Sequence, residues 1–362
     1  MLDRIKTFPI TELYRFYGAG GSAVHFARRT FNITPPKLLA QVETLILITG
    51  GAGFIGPKLA EQLIRQGEML RIFDNLSTGS LSNISGLVKT GGVEFINGDI
   101  RDAKAVAEAA KGCDLIYHLA AQSSVPVSTK DPRLDMSINI DGTFNILEAA
   151  KAGSAKVVFA SSSTVYGNAA RTPTPEDEAL APYSFYGLSK MAAEHYCRIY
   201  SELYHVPTVT LRLFNVYGPG TNKGVMIDLY RKLLRDPARL EVLGSGEQTK
   251  DYLYIDDAID AFLLAPKSKS EGEAYNIGLG ESCSVFGLVK MMLEILGLSG
   301  VGIRARGGAA WLGDVELTRP DVGKAERELG WKAKVGIREG LGRTLAWFEK
   351  ELGQVKGART LL

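Results

Sequence analysis

Cysteine and histidine are scarce in this chain of 362 residues, which holds three cysteines and four histidines. Cys113, Cys197 and Cys283 lie far apart, are odd in number and have no CxxC partner. No disulfide framework or zinc site can be assembled from them, and unpaired thiols suit a reducing, cytoplasmic compartment. His25, His118, His195 and His205 show no ligand spacing, so no metal site is expected. His118, inside an apolar run, reads as a core histidine with its ring nitrogens satisfied. An excess of charge is lacking as well: 42 Lys+Arg stand against 40 Asp+Glu, a formal net charge of +2. That balance gives no electrostatic footprint for a nucleic-acid partner. No apolar run approaches the roughly 20 residues of a membrane span, so no membrane partner is expected. A hydrophobic fraction of 45% excludes general disorder. The one imbalance is local, six Lys/Arg against two Asp/Glu in residues 1–40.

What the sequence does have is a strand–helix rhythm from residue 44 onward. Residues 44–49 form an apolar run bounded by glycines, the pattern of a buried parallel strand. A helix is expected over 55–66, with Leu59, Leu63 and Ile64 at helical spacing. Strands follow at 70–73, 93–96, 114–119, 156–160 and 208–213, and helices at 103–111, 138–151 and 188–203. This alternation predicts an α/β fold, a Rossmann-type doubly wound parallel sheet with helices on both faces. Beyond about residue 215 the rhythm loosens, and the remainder reads as a smaller C-terminal mixed α/β region.

Between the first strand and its helix stands Thr49-Gly50-Gly51-Ala52-Gly53-Phe54-Ile55-Gly56, with Gly50, Gly53 and Gly56 in a GxxGxxG pattern. Small residues there allow a tight turn and close backbone approach to a pyrophosphate, which the following helix N-terminus attracts. Glycines alone would serve any tight turn; the acid at the end of the second strand makes the pattern specific. Asp74 lies 18 residues beyond Gly56, where a carboxylate binds ribose hydroxyls and repels a 2′-phosphate, favouring NAD over NADP. Asp99, after the third strand, can reach an adenine amino group, although a lone loop aspartate has no need of a ligand. Tyr186 and Lys190 form a YxxxK pair on one helix face, where an ammonium lowers the phenol's pKa. Ser161-Ser162-Ser163 end the fifth strand on the side where open α/β sheets bind ligands. Taken singly, the pair reads equally as an exposed helical Tyr–Lys and the serines as a capped turn.

In order along the chain these motifs are joined by Asp74-Asn75-Leu76-Ser77-Thr78-Gly79, His118-Leu119-Ala120-Ala121-Gln122, Arg212-Leu213-Phe214-Asn215-Val216-Tyr217-Gly218-Pro219 and Asp251-Tyr252-Leu253-Tyr254-Ile255-Asp256-Asp257. Over roughly residues 44–350 the set resembles the extended short-chain dehydrogenase/reductase superfamily, in its nucleotide-sugar epimerase/dehydratase branch, close to the UDP-glucose 4-epimerases. The resemblance implies a bound NAD contacted by Gly50, Gly53, Phe54, Ile55, Gly56, Asp74, Asn75, Asp99, Ile100, Ala120 and Lys190. It implies Ser162, Tyr186 and Lys190 as catalytic residues, with Tyr186 the base. It implies a nucleotide-sugar substrate held by Ser163, Asn215, Val225, Met226 and Lys250, with Leu240–Val242 a further nucleotide-binding segment. The implied division is an N-terminal extension at 1–43, an NAD-binding domain at 44–215 and 240–265, and a substrate-binding domain at 216–239 and 266–362. The extension reads as a small arm or tail ahead of the enzyme.

The resemblance also separates neighbouring chemistries. Family 4,6-dehydratases carry an Asp-Glu pair three and two residues before the tyrosine that is Tyr166 here, and decarboxylases a Glu in the second of those places; this chain has Ser163 and Thr164. Elimination is thereby disfavoured and C4 epimerisation expected. A one-way oxidoreductase or 4-keto-sugar reductase, and a non-enzymatic NAD-binding regulator, remain alternatives at this level. Two departures from the pattern concern the diphosphate: Lys250 precedes Asp251 where the family has Arg, and Trp311-Leu312-Gly313-Asp314 replaces Arg-Pro-Gly-Asp. An arginine clamps a diphosphate bidentately and a lysine does not, so either Arg304 or Arg306 compensates or substrate binding differs from the family pattern. Thr318 stands where a bulky side chain would exclude 2-acetamido sugars, leaving room for an N-acetylated substrate. A homodimer is expected through a four-helix bundle of residues 135–151 and 188–203.

Overall fold

Leu45-Ile46-Leu47-Ile48-Thr49 alternates its side chains between two apolar environments, which only the middle of a sheet covered on both faces supplies. The computed structural model describes residues 44–357 except Thr90, Ser299 and residues 308–312. The expected extension at 1–43, and Trp311 and Leu312, lie outside the described residues. The strands are β1 (Leu45–Thr49), β2 (Met69–Asp74), β3 (Val93–Asn97), β4 (Leu115–His118), β5 (Lys156–Ser162) and β6 (Thr208–Leu213). There follow β7 (Val216–Tyr217), β8 (Arg239–Val242), β9 (Thr249–Lys250), β10 (Leu253–Tyr254), β11 (Glu273–Ile277), β12 (Cys283–Ser284) and β13 (Gly302–Ala305). Seven of them make one sheet in the order β11-β6-β5-β4-β1-β2-β3. All its pairings are parallel, as in Ile48 opposite both Ile72 and Tyr117. The order reverses between β1 and β4, so the crevice for a ligand lies beyond the carboxyl ends of those strands.

Adjacent residues of β1 feed opposite faces. Ile46 and Ile48 pack with Leu59 and Leu63 of α1 (Ile55–Arg65) and with Ile259 and Phe262 of α8 (Ile255–Leu264). Leu47 packs on the other side with Phe73, Ile116 and Phe159. It meets there Val106 of α2 (Ala103–Ala110), Ile146 and Leu147 of α5 (Gly142–Gly153), and Ala193 and Cys197 of α6 (Phe185–Tyr204). Each such aliphatic or aromatic side chain, fully buried, contributes about 1.5–3 kcal/mol.

The differences from the sequence reading are local and lie near the site. In place of one helix over 138–151, α5 is preceded by a π-type turn, Ser137–Asp141. Two short helices, α3 (Val125–Lys130) and α4 (Pro132–Met136), come before it, each started by a capping side chain, Ser124 or Asp131, with a proline in the first turn. α6 begins at Phe185 instead of 188 because Ser184 accepts a hydrogen bond from the Gly187 N–H at 3.0 Å. β5 runs on to Ser162, paired with β6 through Ser162 opposite Leu213. Glu273–Ile277, read as part of the C-terminal region, is the outermost strand of the main sheet, paired with β6. The C-terminal elements also include α7 (Val225–Arg235), α9 (Val285–Leu296), α10 (Gly323–Leu329) and α11 (Ile337–Leu352). Among the described residues no helix is long and apolar enough to cross a membrane.

Leu147 is fully buried between α5 and the sheet. Leu147→Ala is expected to lower the unfolding free energy by about 2–5 kcal/mol, read from the urea midpoint at unchanged slope.

Candidate active site

The turn after β1 is built from its own backbone. Gly50 has φ +67°, and a Cβ there would lie 2.6 Å from the Ala120 nitrogen, so the turn packs directly against the chain leaving β4. Gly53 N–H donates to the Gly50 carbonyl at 3.2 Å, bringing Phe54, Ile55 and Gly56 to the start of α1. No side chain caps that helix. Its first N–H groups therefore face the crevice as donors for an anion. Asp74, buried at the end of β2, accepts from Ala52 N–H at 3.0 Å and from Leu76 N–H at 2.7 Å. The carboxylate thus shapes the glycine turn itself. Asn75 donates to Asp99 at 2.9 Å, and Asp99 also accepts from the Arg101 guanidinium at 2.7 Å. The Arg101 hydrogen bond holds the Asp99 carboxyl well below the usual carboxylate range. Ile100 turns its side chain into the core, against Gly142. Ala120 N–H donates to Thr49 Oγ1 at 3.3 Å.

His118 lies just behind this turn, 1% exposed, with Nδ1 2.8 Å from Thr49 Oγ1 and Nε2 3.0 Å from Thr143 Oγ1. Thr143 gives its proton to the Asn139 carbonyl, so its oxygen accepts from Nε2–H, and Nδ1 accepts from Thr49. Burial first, and then Lys190, pull its pKa down to about 3. His118 is the satisfied core histidine that the sequence suggested.

At the end of β5 the structure brings Ser162, Ser163, Tyr186 and Lys190 together. A Cβ at Gly187 would stand 2.6 Å from the Thr164 carbonyl. The absence of a side chain there lets the first turn of α6 press onto the Ser163–Tyr166 turn. The Tyr186 N–H donates to Ser128 Oγ at 3.1 Å, which pins the same turn to α3. Ser162 Oγ accepts from the Thr164 hydroxyl at 3.0 Å and its N–H at 3.3 Å, leaving its own proton free to donate. Ser162 faces the Tyr186 phenol and lowers its pKa, but burial dominates and pushes the phenol up to about 12. The lowering expected from Lys190 is not found: the influences on the phenol are burial, Ser162 and Asp135. The Lys190 ammonium donates to the Ala160 carbonyl at 2.8 Å and lies 4.6 Å above the Phe159 ring. Burial pulls it down to about 8.

Beneath these groups runs a buried polar network that the sequence reading did not include. Ser161 donates to Glu194, and Glu194 receives the Arg212 guanidinium through Nε at 3.0 Å and Nη2 at 2.8 Å. Arg212 Nη1 donates to the Tyr166 hydroxyl at 2.8 Å, and Tyr166 donates to Asn276 at 2.6 Å. Glu194 was legible in principle, since it continues the Tyr186, Lys190 spacing by one more helical turn.

The proposed substrate contacts are more dispersed. Asn215, exposed after β6, donates to the Asp251 carbonyl at 2.7 Å. Val225 opens α7 half-buried, while the Met226 side chain is in the core. Lys250 is committed to Asp314 at 2.9 Å and to the Val315 carbonyl, and no described contact joins it to Ser162, Tyr186 or Lys190. The Thr318 hydroxyl accepts from Asp251 N–H at 3.2 Å. Arg304 and Arg306 are exposed, on or beside β13, which pairs with β8 through Arg304 opposite Glu241. Lys223, absent from the sequence reading, reaches the hydroxyl and carbonyl of Ser123 from the loop before α7.

Residues 46–278 match the model of the NAD dependent epimerase/dehydratase family. The chain belongs to that family. Among its relatives, a putative UDP-glucose 4-epimerase of Methanocaldococcus jannaschii is 37% identical over 313 residues, covering 84% of this chain and 98% of that one. The solved UDP-glucose 4-epimerase of Thermotoga maritima with UDP-glucose superposes with a TM-score of 0.79 at 34% identity, covering 85% of this chain and 100% of that one. A dTDP-glucose 4,6-dehydratase of Streptomyces venezuelae, solved with NAD, gives 0.80 at 30% identity, covering 86% and 99%. Membership in the NAD-dependent epimerase/dehydratase family makes NAD the cofactor. The residues present fit it: a side-chain-free turn, an uncapped helix start and a buried carboxylate between them.

Replacing Glu194 with Leu leaves Arg212 buried without its partner. Glu194→Leu is expected to cost about 3–5 kcal/mol in urea unfolding, and the double variant with Arg212→Met to recover part of it.

Proposed function

We propose that this protein is an NAD-dependent 4-epimerase of a nucleotide-linked sugar, a UDP-hexose or UDP-N-acetylhexosamine. The observation that carries the reading is what surrounds the phenol: a Ser162 hydroxyl free to donate, followed by Ser163 and Thr164 where related dehydratases carry acids. Neither hydroxyl abstracts a C5 proton at neutral pH, so elimination lacks its base. The names of the relatives at 33–37% identity, UDP-glucose 4-epimerases, support the same choice.

In this reading Tyr186 takes the proton of the sugar 4-hydroxyl and Ser162 donates a hydrogen bond to the same oxygen. The chemistry that bound NAD⁺ would supply is a reversible acceptor for the C4 hydride, which would leave it unconsumed. Lys190, with one N–H on Ala160, has two left for the nicotinamide ribose. The 4-keto sugar turns over in the pocket, and Tyr186 returns the proton to the oxygen of the inverted centre. Gly50, Gly53, Phe54, Ile55 and Gly56 hold the pyrophosphate, and Asp74, Asn75, Asp99, Ile100 and Ala120 the adenosine side. On the substrate side we read Ser163, Asn215, Val225 and Met226 as contacts. The Asp314 partner of Lys250 leaves the diphosphate to Arg304 or Arg306, which flank the Leu240–Val242 segment. Residues 44–215 with 240–265 are read as the NAD-binding part. Residues 216–239 with 266–362, the strand Glu273–Ile277 apart, are read as the substrate-binding part.

Incubation with a panel of UDP-, GDP- and dTDP-sugars, read by product analysis, tests the activity. We expect interconversion of C4 epimers with no net NADH. Stoichiometric NADH would turn the reading to an oxidoreductase, and a 4-keto-6-deoxy product to a dehydratase. Tyr186→Phe is expected to reduce turnover at least 100-fold; near-normal turnover would remove Tyr186 from the role of base.

We further propose a cytoplasmic homodimer through α5 and α6. Phe144 (42% exposed), Ile199 (40%) and Leu203 (67%) leave an apolar stripe on these two helices. Leu203→Glu is expected to convert a dimer into a monomer in sedimentation equilibrium.

A further inference from the structure

Asp135, in α4, is 1% exposed, and among the described residues it forms no ion pair. Buried carboxylates are normally matched by a cation or by several donors, because desolvating the charge is costly. The hydrogen bonds seen here come from two neutral amides to one oxygen. Gln122 Nε2 donates at 2.7 Å and Asn139 Nδ2 at 3.2 Å. Asn139 stands in the π-type turn, locked by both backbone groups of Gln122 at 2.9 Å. Its amide also donates to Ser189 Oγ at 3.0 Å, and Ser189 donates to the Tyr186 carbonyl at 3.0 Å. The carboxylate is thus tied to the first turn of α6, on the helix that carries Tyr186 and Lys190.

We propose that the Asp135 carboxylate is the counter-charge of the Tyr186–Lys190 pair, a positioning residue that sets the pH range in which the pair works. The proposal rests on Tyr186 and Lys190 being the catalytic pair.

The groups facing Lys190 are few. Burial is the strongest influence and lowers its pKa; Asp135 is the strongest of the charges and raises it. Cys197 and Glu194 on its own helix raise it further, and Lys223 from the loop before α7 lowers it. His118 on β4 faces it as a neutral ring. For Tyr186, burial raises the pKa, Ser162 lowers it, and Asp135 raises it. One charge therefore favours the ammonium and disfavours the phenolate together. Removing it moves both titrations in the same direction, toward lower pH.

The test is Asp135→Asn, in which the amide oxygen still accepts from Gln122. The kcat–pH profile is measured with whichever nucleotide sugar the wild type converts. Both limbs are expected to move down by on the order of 1 pH unit, while Asp135→Glu keeps them near their wild-type positions. A fall in kcat with both limbs unmoved would overturn the proposal, since a purely structural role lowers the rate without shifting the profile. Asp135→Ser repeats the charge removal should the asparagine variant fail to fold. A readout independent of turnover is the phenolate absorbance near 295 nm of the purified holoenzyme, taken as the difference from the same protein carrying Tyr186→Phe. That difference titration should move to lower pH in Asp135→Asn, and an unmoved one counts against the proposal even if no panel sugar is a substrate.

Discussion

The buried Arg212–Glu194 pair is the contact on which the rest of the site depends. Its two side chains are 7% and 5% exposed, and they join β6 to α6 where the sheet opens toward the crevice. Ser161 on β5 and Tyr166 in the turn after it attach to the same pair, and Asn276 on β11 attaches through Tyr166. Three neighbouring strands and one helix are therefore held in a single register by charge-assisted hydrogen bonds, which are directional where apolar packing is not. The site residues sit on the first ring outward from that centre. Ser162 follows Ser161, and Lys190 lies one helical turn before Glu194. The network fixes where the serine hydroxyl and the ammonium can stand.

Burial acts on the pair in opposite senses. It makes the phenol reluctant to lose its proton and the ammonium ready to give one up, because both ionised forms are poorly solvated. A tyrosine acting as base at neutral pH must then draw on donors that favour the phenolate, Ser162 and whatever binds in the crevice, against burial and the Asp135 charge. This explains why the surrounding polar groups are so completely hydrogen-bonded. In a medium of low dielectric each fixed dipole counts for more than it would in water.

Much of the architecture was legible because it repeats. Strand β1 is a near-continuous run of Leu and Ile, and β6 was read at its observed bounds, Thr208–Leu213. The glycine turn, Asp74 and the YxxxK pair were visible because each is a local pattern with a chemical reason. What escaped were features fixed by tertiary contact. α3 and α4 are too short for periodicity to reveal, yet Ser128 of α3 orients Tyr186. The start of α6 depends on Ser184, a cap that precedes the apolar stripe and so leaves no trace in it. Asp135 and Glu194 read as ordinary helical acids until folding removes them from water. Lys250 read as a weaker substitute for a clamping arginine, and the fold gives it to Asp314, a partner 64 residues away in the chain.

Asp74 carries a consequence for how cofactor choice can change in this protein. Its carboxylate closes the loop over the glycine turn by accepting from Ala52 and Leu76, and the same group is the one we propose for the ribose hydroxyls. In that proposal, discrimination against a phosphorylated ribose and the shape of the glycine turn are one trait carried by one side chain. A drift toward the phosphorylated dinucleotide would have to rebuild the turn before it could gain anything from a new cation. On this proposal, preference for NAD is guarded by architecture as well as by charge.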